Sequence, residues 1–280
     1  MTKLRKRMVE DMQLAGLSAT TREAYVYAVQ QLARHYERSP DGLSDEQVRR
    51  YFLYLVNERR IAEGTFKPYY YGIKFFYEVT LERSCPVLGR IRCPKRFKVG
   101  VVLTVEQVRR LLAAVRDPRA RMCLTVIYSC GLRRQEGVSL QVGDIQTERM
   151  QLRVRAGKGN KDRYVVLAQR TLESLRSYWR VQRSRPWLFL RTDGTTHLSG
   201  NWLYKVFRAA LAQTDITHEA TVHSLRHSYA THLLERGVDL RVIQHLLGHK
   251  SPVTTARYTH MTATTIQAVR DTVDTLIDQL

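Results

Sequence analysis

Cysteine is scarce in this chain: four among 280 residues, Cys85, Cys93, Cys123 and Cys130. Their spacings, C-x7-C and C-x6-C, fit no zinc module, and so few in so long a chain exclude a disulfide scaffold. Long apolar runs are missing too. None approaches the roughly 20 residues of a membrane span, so no membrane partner is expected. The opening MTKLRKRMVEDM is charged and has no apolar stretch, unlike a secretion signal. The expectation is a cytoplasmic protein with reduced thiols. Two phosphate-chemistry signatures are also absent. GxxxxGK[ST] does not occur, which argues against ATP binding, and no cluster of carboxylates suggests a two-metal nuclease. Repeats and low-complexity tracts are lacking.

Negative charge is under-represented. Lys and Arg number 46 against 26 Asp and Glu, a net charge of +20. A surface this basic suits a polyanion, with nucleic acid the first choice. The excess is not confined to a tail, since residues 1–99 alone carry 19 Lys and Arg against 11 Asp and Glu. Hydrophobic residues at 44% and charged residues at 26% are ordinary for a globular protein, and the length suits two domains.

The expected fold is mainly α with a small β-sheet in the C-terminal domain (α+β). Residues 1–83 read as a helical domain. Ser18 precedes an amphipathic run to Tyr36, Ser44 and Gln47 form a capping box, and a further run covers 62–81. Tyr69, Tyr70, Ile73, Phe76 and Tyr77 in that run have core spacing, with a few tyrosines left to touch sugar-phosphate. Residues 84–102 read as a linker holding Pro, Gly and no acid. Arg90, Arg92, Lys95, Arg96 and Lys98 lie there, either crossing a phosphate backbone or lining a solvated hinge. A second domain, 103–280, opens at the Thr104–Gln107 capping box, with helices to about Cys130. Strand-like runs at 150–155 and 163–167 flank AGKGNKD, a turn-rich joint. Helices are expected at 169–183, 200–213, 222–235, 239–246 and 251–257.

The chemistry-bearing residues cluster in the second domain. His223 and Arg226, at i and i+3, would share a helix face. His227 adds an H-x-x-x-H spacing, but Ser224 stands where a zinc protease has glutamate, and Arg226 would place a cation beside the metal. No metal and no cofactor is expected. In GLRRQEGVSL, Arg133 follows a Gly-Leu break. With Arg226 it would offer two guanidinium forks to one phosphate, with Glu136 orienting a neighbour. A weak exposed Arg–Glu pair is the plain alternative. Lys158, at a glycine-flanked hairpin tip, is a candidate proton donor. Tyr258 lies nine residues after His249. A phenol ionises near pH 10 and needs a base and a positive field to attack at neutral pH. His223 can supply the base, and Arg133, Arg226 and Lys158 the field.

Taken in order, GLRRQE, GKGNKDR, HSLRH, LLGH and TTARYTH over residues 131–260 resemble the boxes of the tyrosine recombinases, the family of phage integrases and Xer-type recombinases. Residues 1–95 are similar more loosely to the family's SAM-like core-binding domain. The resemblance implies a two-domain DNA clamp and site-specific cutting and rejoining of DNA, in integration, excision or resolution, without metal or ATP. It implies that Tyr258 attacks the scissile phosphate to form a 3′-phosphotyrosyl link. Arg133 and Arg226 would stabilise the phosphorane, Lys158 protonate the leaving 5′-oxygen and His223 act on the tyrosine proton. His249 would bond the phosphate, with Glu136 in support.

The implied partners are double-stranded DNA with specific recombination sites and a homo-tetramer on two sites, or an assembly with a second recombinase. Ile266, Val269, Val273, Leu276 and Leu280 form an amphipathic seam within 264–280 that needs a partner surface, in its own domain or, as the resemblance implies, in trans. Two rivals remain: a relaxase resembling type IB topoisomerases, and a DNA-binding regulator that has lost its chemistry. The larger phage integrases carry an arm-binding domain with no counterpart here, so a simple-site recombinase serving a mobile element or dimer resolution is expected.

Overall fold

Side-chain oxygens of Thr2, Ser18 and Ser44 set the starts of the first three α-helices. The computed structural model describes residues 2–92, 100–155, 162–217 and 219–248, and the chain divides into two units, Met1–Lys98 and Val99–Leu280. In the first, α1 (Lys3–Leu14) is followed by α2 (Ala19–Tyr36), capped by Ser18, whose hydroxyl accepts from the Thr21 amide. The reciprocal Ser44–Gln47 box opens α3 (Asp45–Asn57). Then come α4 (Glu63–Phe75), a π-helical turn at Phe76–Thr80 and the short α5 (Pro86–Arg90).

Met8, Met12, Leu32, Leu55, Phe66 and Ile73 are among the buried residues of this unit's core. The aromatic run is core as its spacing suggested: Tyr69, Phe76 and Tyr77 are buried, and the Tyr77 hydroxyl donates to the Pro40 carbonyl at 2.6 Å. Tyr71, by contrast, is 51% exposed. Where α2 crosses α4, Gly72 lets the backbones meet, because a Cβ there would lie 2.8 Å from the Tyr25 Cα.

Part of the expected linker is not linker. Within 84–92, Cys85 and Leu88 are buried in the first core, and the Leu88 carbonyl accepts from the Tyr70 hydroxyl. Pro86 at a first helical position starts a turn instead of breaking one. Basic composition hid the two apolar anchors that fold this stretch back. Lys95, Arg96 and Lys98 lie outside the described residues.

The second unit begins with α6 (Val105–Ala114), opened by the Thr104–Gln107 box, and α7 (Pro118–Ser129), opened by Asp117. The short α8 (Arg134–Val138) leads to a three-stranded antiparallel sheet, β1 (Ile145–Gln146), β2 (Gln151–Val154) and β3 (Arg163–Val166), in that order. Register pairs Leu152 with Val165 and Val154 with Arg163, and Leu152, Val154 and Val165 turn inward. The sequence showed β2 and β3; the two-residue β1 was too short to declare itself. Among the described residues four helices follow: α9 (Gln169–Gln182), α10 (Gly200–Leu211), α11 (Val222–Glu235) and α12 (Leu240–Leu247).

Helix α7 is buried along much of its length, from Ala120 to Ile127, and α11 packs against it. Helix α12 is held to α11 by a small separate cluster of Ala230, Ile243 and Leu247. The expected helix at 251–257 and the seam at 264–280 lie outside the described residues. No helix among the described residues is long and apolar enough to cross a membrane.

Candidate active site

Glu136 is the centre around which the second unit gathers its arginines. Its side chain is 8% exposed, so the carboxylate needs partners. Arg133, at the N-cap of α8, supplies two: its backbone amide donates to Oε2 at 2.8 Å and its Nη1 to Oε1 at 2.7 Å. Arg163, the first residue of β3, supplies a fork, with Nη1 to Oε1 at 2.8 Å and Nη2 to Oε2 at 2.7 Å. Arg226 of α11 brings Nη1 to 3.9 Å from Oε2. Burial alone would push the Glu136 carboxyl up. The Arg163 bonds and charge, with the Arg133 bonds, outweigh it and hold the group at about 2. The weak surface pair that GLRRQE allowed is therefore not what forms.

Arg226 is itself 1% exposed. Its Nη1 donates to the Gly131 carbonyl and its Nη2 to the Leu247 carbonyl, both at 2.6 Å. Arg133 directs Nη2 to the Gly248 carbonyl at 3.2 Å while a quarter of its side chain stays open. The two guanidinium groups thus meet around the same buried carboxylate and the same helix end. Two glycines permit this closeness. Gly131, at φ +61°, turns the chain beneath the Tyr229 ring, and Gly248, at φ +62°, caps α12 against Arg163.

His223 opens the first turn of α11 and is exposed, whereas Arg226 three residues on is buried. Surrounding protein, then the charges of Arg226 and Arg133, hold the His223 imidazole below its usual range, so it is neutral at pH 7 and able to accept a proton. Its ring meets that of His227 edge-on at 4.8 Å. Among the described residues no group of three or more His, Cys, Asp or Glu gathers as metal ligands would. Lys158, His249 and Tyr258 lie outside the described residues. In the chain, Lys158 belongs to the segment joining β2 to β3, and His249 directly follows Gly248.

Sequence reading missed Arg163. It closes the GKGNKDR box, but nothing in the sequence links it to a carboxylate 27 residues earlier. Only folding makes the pair. Of the linker cations, Arg90 and Arg92 are exposed at and just beyond the end of α5, where they border a groove with Arg49, Leu53 and Val56.

Comparison with known proteins gives this arrangement its context. The phage integrase family model matches residues 101–265, and the model for the phage integrase N-terminal SAM-like domain matches 4–86. The y4qK protein of Sinorhizobium fredii is 40% identical over 259 residues, covering 92% of this chain and 84% of its own. Tyrosine recombinase XerD of Halalkalibacterium halodurans is 32% identical over 275 residues, 91% of each chain. Among solved structures, a lambda integrase dimer bound to a COC′ core site shares the fold with a TM-score of 0.74 at 16% identity, over 91% of this chain and 75% of that one. With two family matches spanning most of the chain and a named recombinase aligned along nine-tenths of it, this protein belongs to the phage integrase family and is a tyrosine site-specific recombinase.

Proposed function

We propose that this recombinase cuts and rejoins double-stranded DNA at specific sites through a 3′-phosphotyrosyl intermediate on Tyr258, with neither metal nor ATP in the chemical step. The observation that carries the reading is the buried Glu136 carboxylate and the three arginines around it. That cluster fixes cationic donors in place before substrate arrives, as stabilisation of a charged transition state requires. The Tyr258 oxygen attacks phosphorus and the bond to the 5′-oxygen breaks. His223 takes the phenol proton and Lys158 gives one to the leaving oxygen. Arg133, Arg226 and His249 bear the charge that develops on the phosphoryl oxygens, with Glu136 holding the arginines. One phosphoester replaces another, so the step is near balance and reverses when a new 5′-hydroxyl attacks. That suits strand exchange without a nucleotide to drive it.

DNA is the proposed partner, on the strength of the +20 charge and the lambda integrase neighbour bound to its core site. The N-terminal unit is assigned as the core-binding module, and Arg90, Arg92, Lys95, Arg96 and Lys98 as backbone contacts. Four copies on two sites, or a mixed assembly with a second recombinase, complete the reading, with 264–280 docking in trans. A nicked recombination site that loses its 5′-hydroxyl fragment tests the chemistry. With a chelator present, the wild type is expected to become covalently attached to DNA and Tyr258→Phe to remain unattached. Attachment that persists in Tyr258→Phe, or that requires added magnesium, would overturn the proposal.

A further inference from the structure

Arg163 has no part in the steps above, yet all three of its guanidinium nitrogens are engaged at the site. It opens β3 and is 11% exposed. While both its terminal nitrogens hold the Glu136 carboxylate, its Nε donates to the Leu246 carbonyl at 3.2 Å. One rigid guanidinium plane therefore touches the turn at 133–136 and the end of α12 from the start of β3. Each of these segments adjoins, in the chain, a residue of the proposed reaction. Arg133 caps α8, Lys158 lies on the connection into β3, and His249 follows Gly248. The α12 cap has no side chain where Arg163 passes. A Cβ on Gly248 would lie 2.8 Å from the Arg163 Cδ, and the positive φ at Gly248 already disfavours one.

A simple charge requirement would be met by lysine. The observed geometry is not, because an ammonium is a point charge and cannot bond both carboxylate oxygens and a carbonyl in one plane. We propose that Arg163 is a positioning residue for strand transesterification. By holding Glu136 and the Leu246 carbonyl together, it fixes the Arg133 turn, the root of the hairpin and the cap of α12 in one arrangement. The inference rests on the reading of Tyr258 as nucleophile. Without the fork, the bonds that Glu136 keeps among the described residues are those from Arg133, and carboxylate and guanidinium can move together. A displacement near 1 Å at a reacting centre costs about 100-fold in rate.

The test is single-turnover attachment to the nicked site by wild type, Arg163→Lys, Arg163→Met and the double variant Arg163→Met/Glu136→Met, followed from pH 5 to 8 with DNA affinity measured in parallel. Arg163→Met is expected to attach about 100-fold more slowly with unchanged affinity. Arg163→Lys is expected to stay slow despite its charge. The double variant, which leaves no buried carboxylate short of partners, is expected to regain thermal stability but not rate. A further signature separates positioning from mere folding. With Arg163 gone, the charged and titratable groups that Glu136 faces among the described residues are Arg133, Arg226 and His223, and its carboxyl takes up a proton at higher pH. The Arg163→Met rate is then expected to fall toward acid more steeply than the wild-type rate.

An Arg163→Met protein that attaches at the wild-type rate would overturn the positioning role. So would a double variant that recovers rate along with stability. A wild type that forms no attachment would instead sink the underlying reading of Tyr258, and the two failures are distinct.

Discussion

Arg226 and Gly131 are joined by a 2.6 Å hydrogen bond from a buried guanidinium to a carbonyl 95 residues away. The same side chain holds the Leu247 carbonyl at an equal distance. Arg226 therefore ties α11 to the turn before Arg133 and to the last turn of α12. Arg226→Met removes the donors to two carbonyls at once. Bonds from charged donors contribute about 1.5–3 kcal/mol each, so a loss of about 3–6 kcal/mol is expected in urea unfolding, together with loss of DNA attachment. Arg226→Lys can reach one carbonyl and is expected to fall between the two in stability while staying inactive. An unchanged unfolding midpoint in Arg226→Met would show that the two carbonyls do not depend on it.

Gly131 is constrained twice. Its φ of +61° disfavours a side chain, and a Cβ would lie 2.5 Å from the Tyr229 ring. The left-handed conformation alone costs about 1–2 kcal/mol for an L-residue, and the clash adds to it. Gly131→Ala is expected to lower the melting temperature by several degrees. In Gly131→Ala/Tyr229→Leu the clash is relieved and part of the loss recovered, leaving the conformational cost. Exact additivity of the two substitutions would refute the contact.

These two residues illustrate what the sequence disclosed. Arg133, Glu136, His223 and Arg226 stood out because each sits in a short motif with its own chemistry, and capping residues such as Ser18, Ser44 and Thr104 are local signals that mark helix starts. Long-range pairings leave no such mark. The Arg163 fork on Glu136, the Arg226 bond to Gly131 and the burial of Leu88 in the first core all join segments set apart in sequence by the packing of helices between them. Residues 84–92 read as linker for the same reason. Their charges are visible in composition, whereas burial of Cys85 and Leu88 depends on where α3 and α4 lie.

Acid should loosen the second unit through Glu136. Its carboxyl titrates at about 2 in the folded protein against 4.5 for an ordinary glutamate. A depressed folded value means that the stabilisation is fully present above 4.5 and is lost as pH falls from there toward 2. The difference corresponds to something on the order of 3 kcal/mol. Glu136→Gln, which cannot ionise, is expected to be less stable at pH 7 and to show a flatter stability profile over that window. Parallel profiles for the two proteins would mean that Glu136 is not the group responsible.

Arg90 and Arg92 are exposed beside the buried Leu88, so both can be neutralised without disturbing the core. If they meet the DNA backbone, Arg90→Gln/Arg92→Gln should weaken binding to all sequences alike. It should also flatten the dependence of log affinity on log salt by about 2, near 0.9 for each phosphate no longer neutralised. A changed sequence preference at constant salt slope would assign them to base reading.

His223 sets the acid limit of the reaction if it takes the Tyr258 proton. Partial desolvation by the surrounding protein first, then the charges of Arg226 and Arg133, hold its pKa below 6.5, against a smaller opposing pull from Glu136. The neutral form that accepts a proton therefore survives below pH 6.5, where an unperturbed histidine would be half protonated. The attachment rate is expected to stay level down through pH 6.5 and to fall only in more acid solution. His223→Gln keeps a polar side chain but has no titratable nitrogen, so its slower rate should lose that acid limb. Arg133→Gln removes one of the charges that suppress protonation, and its acid limb should move toward higher pH. An acid limb that stays in place in both variants would mean that another group controls the proton.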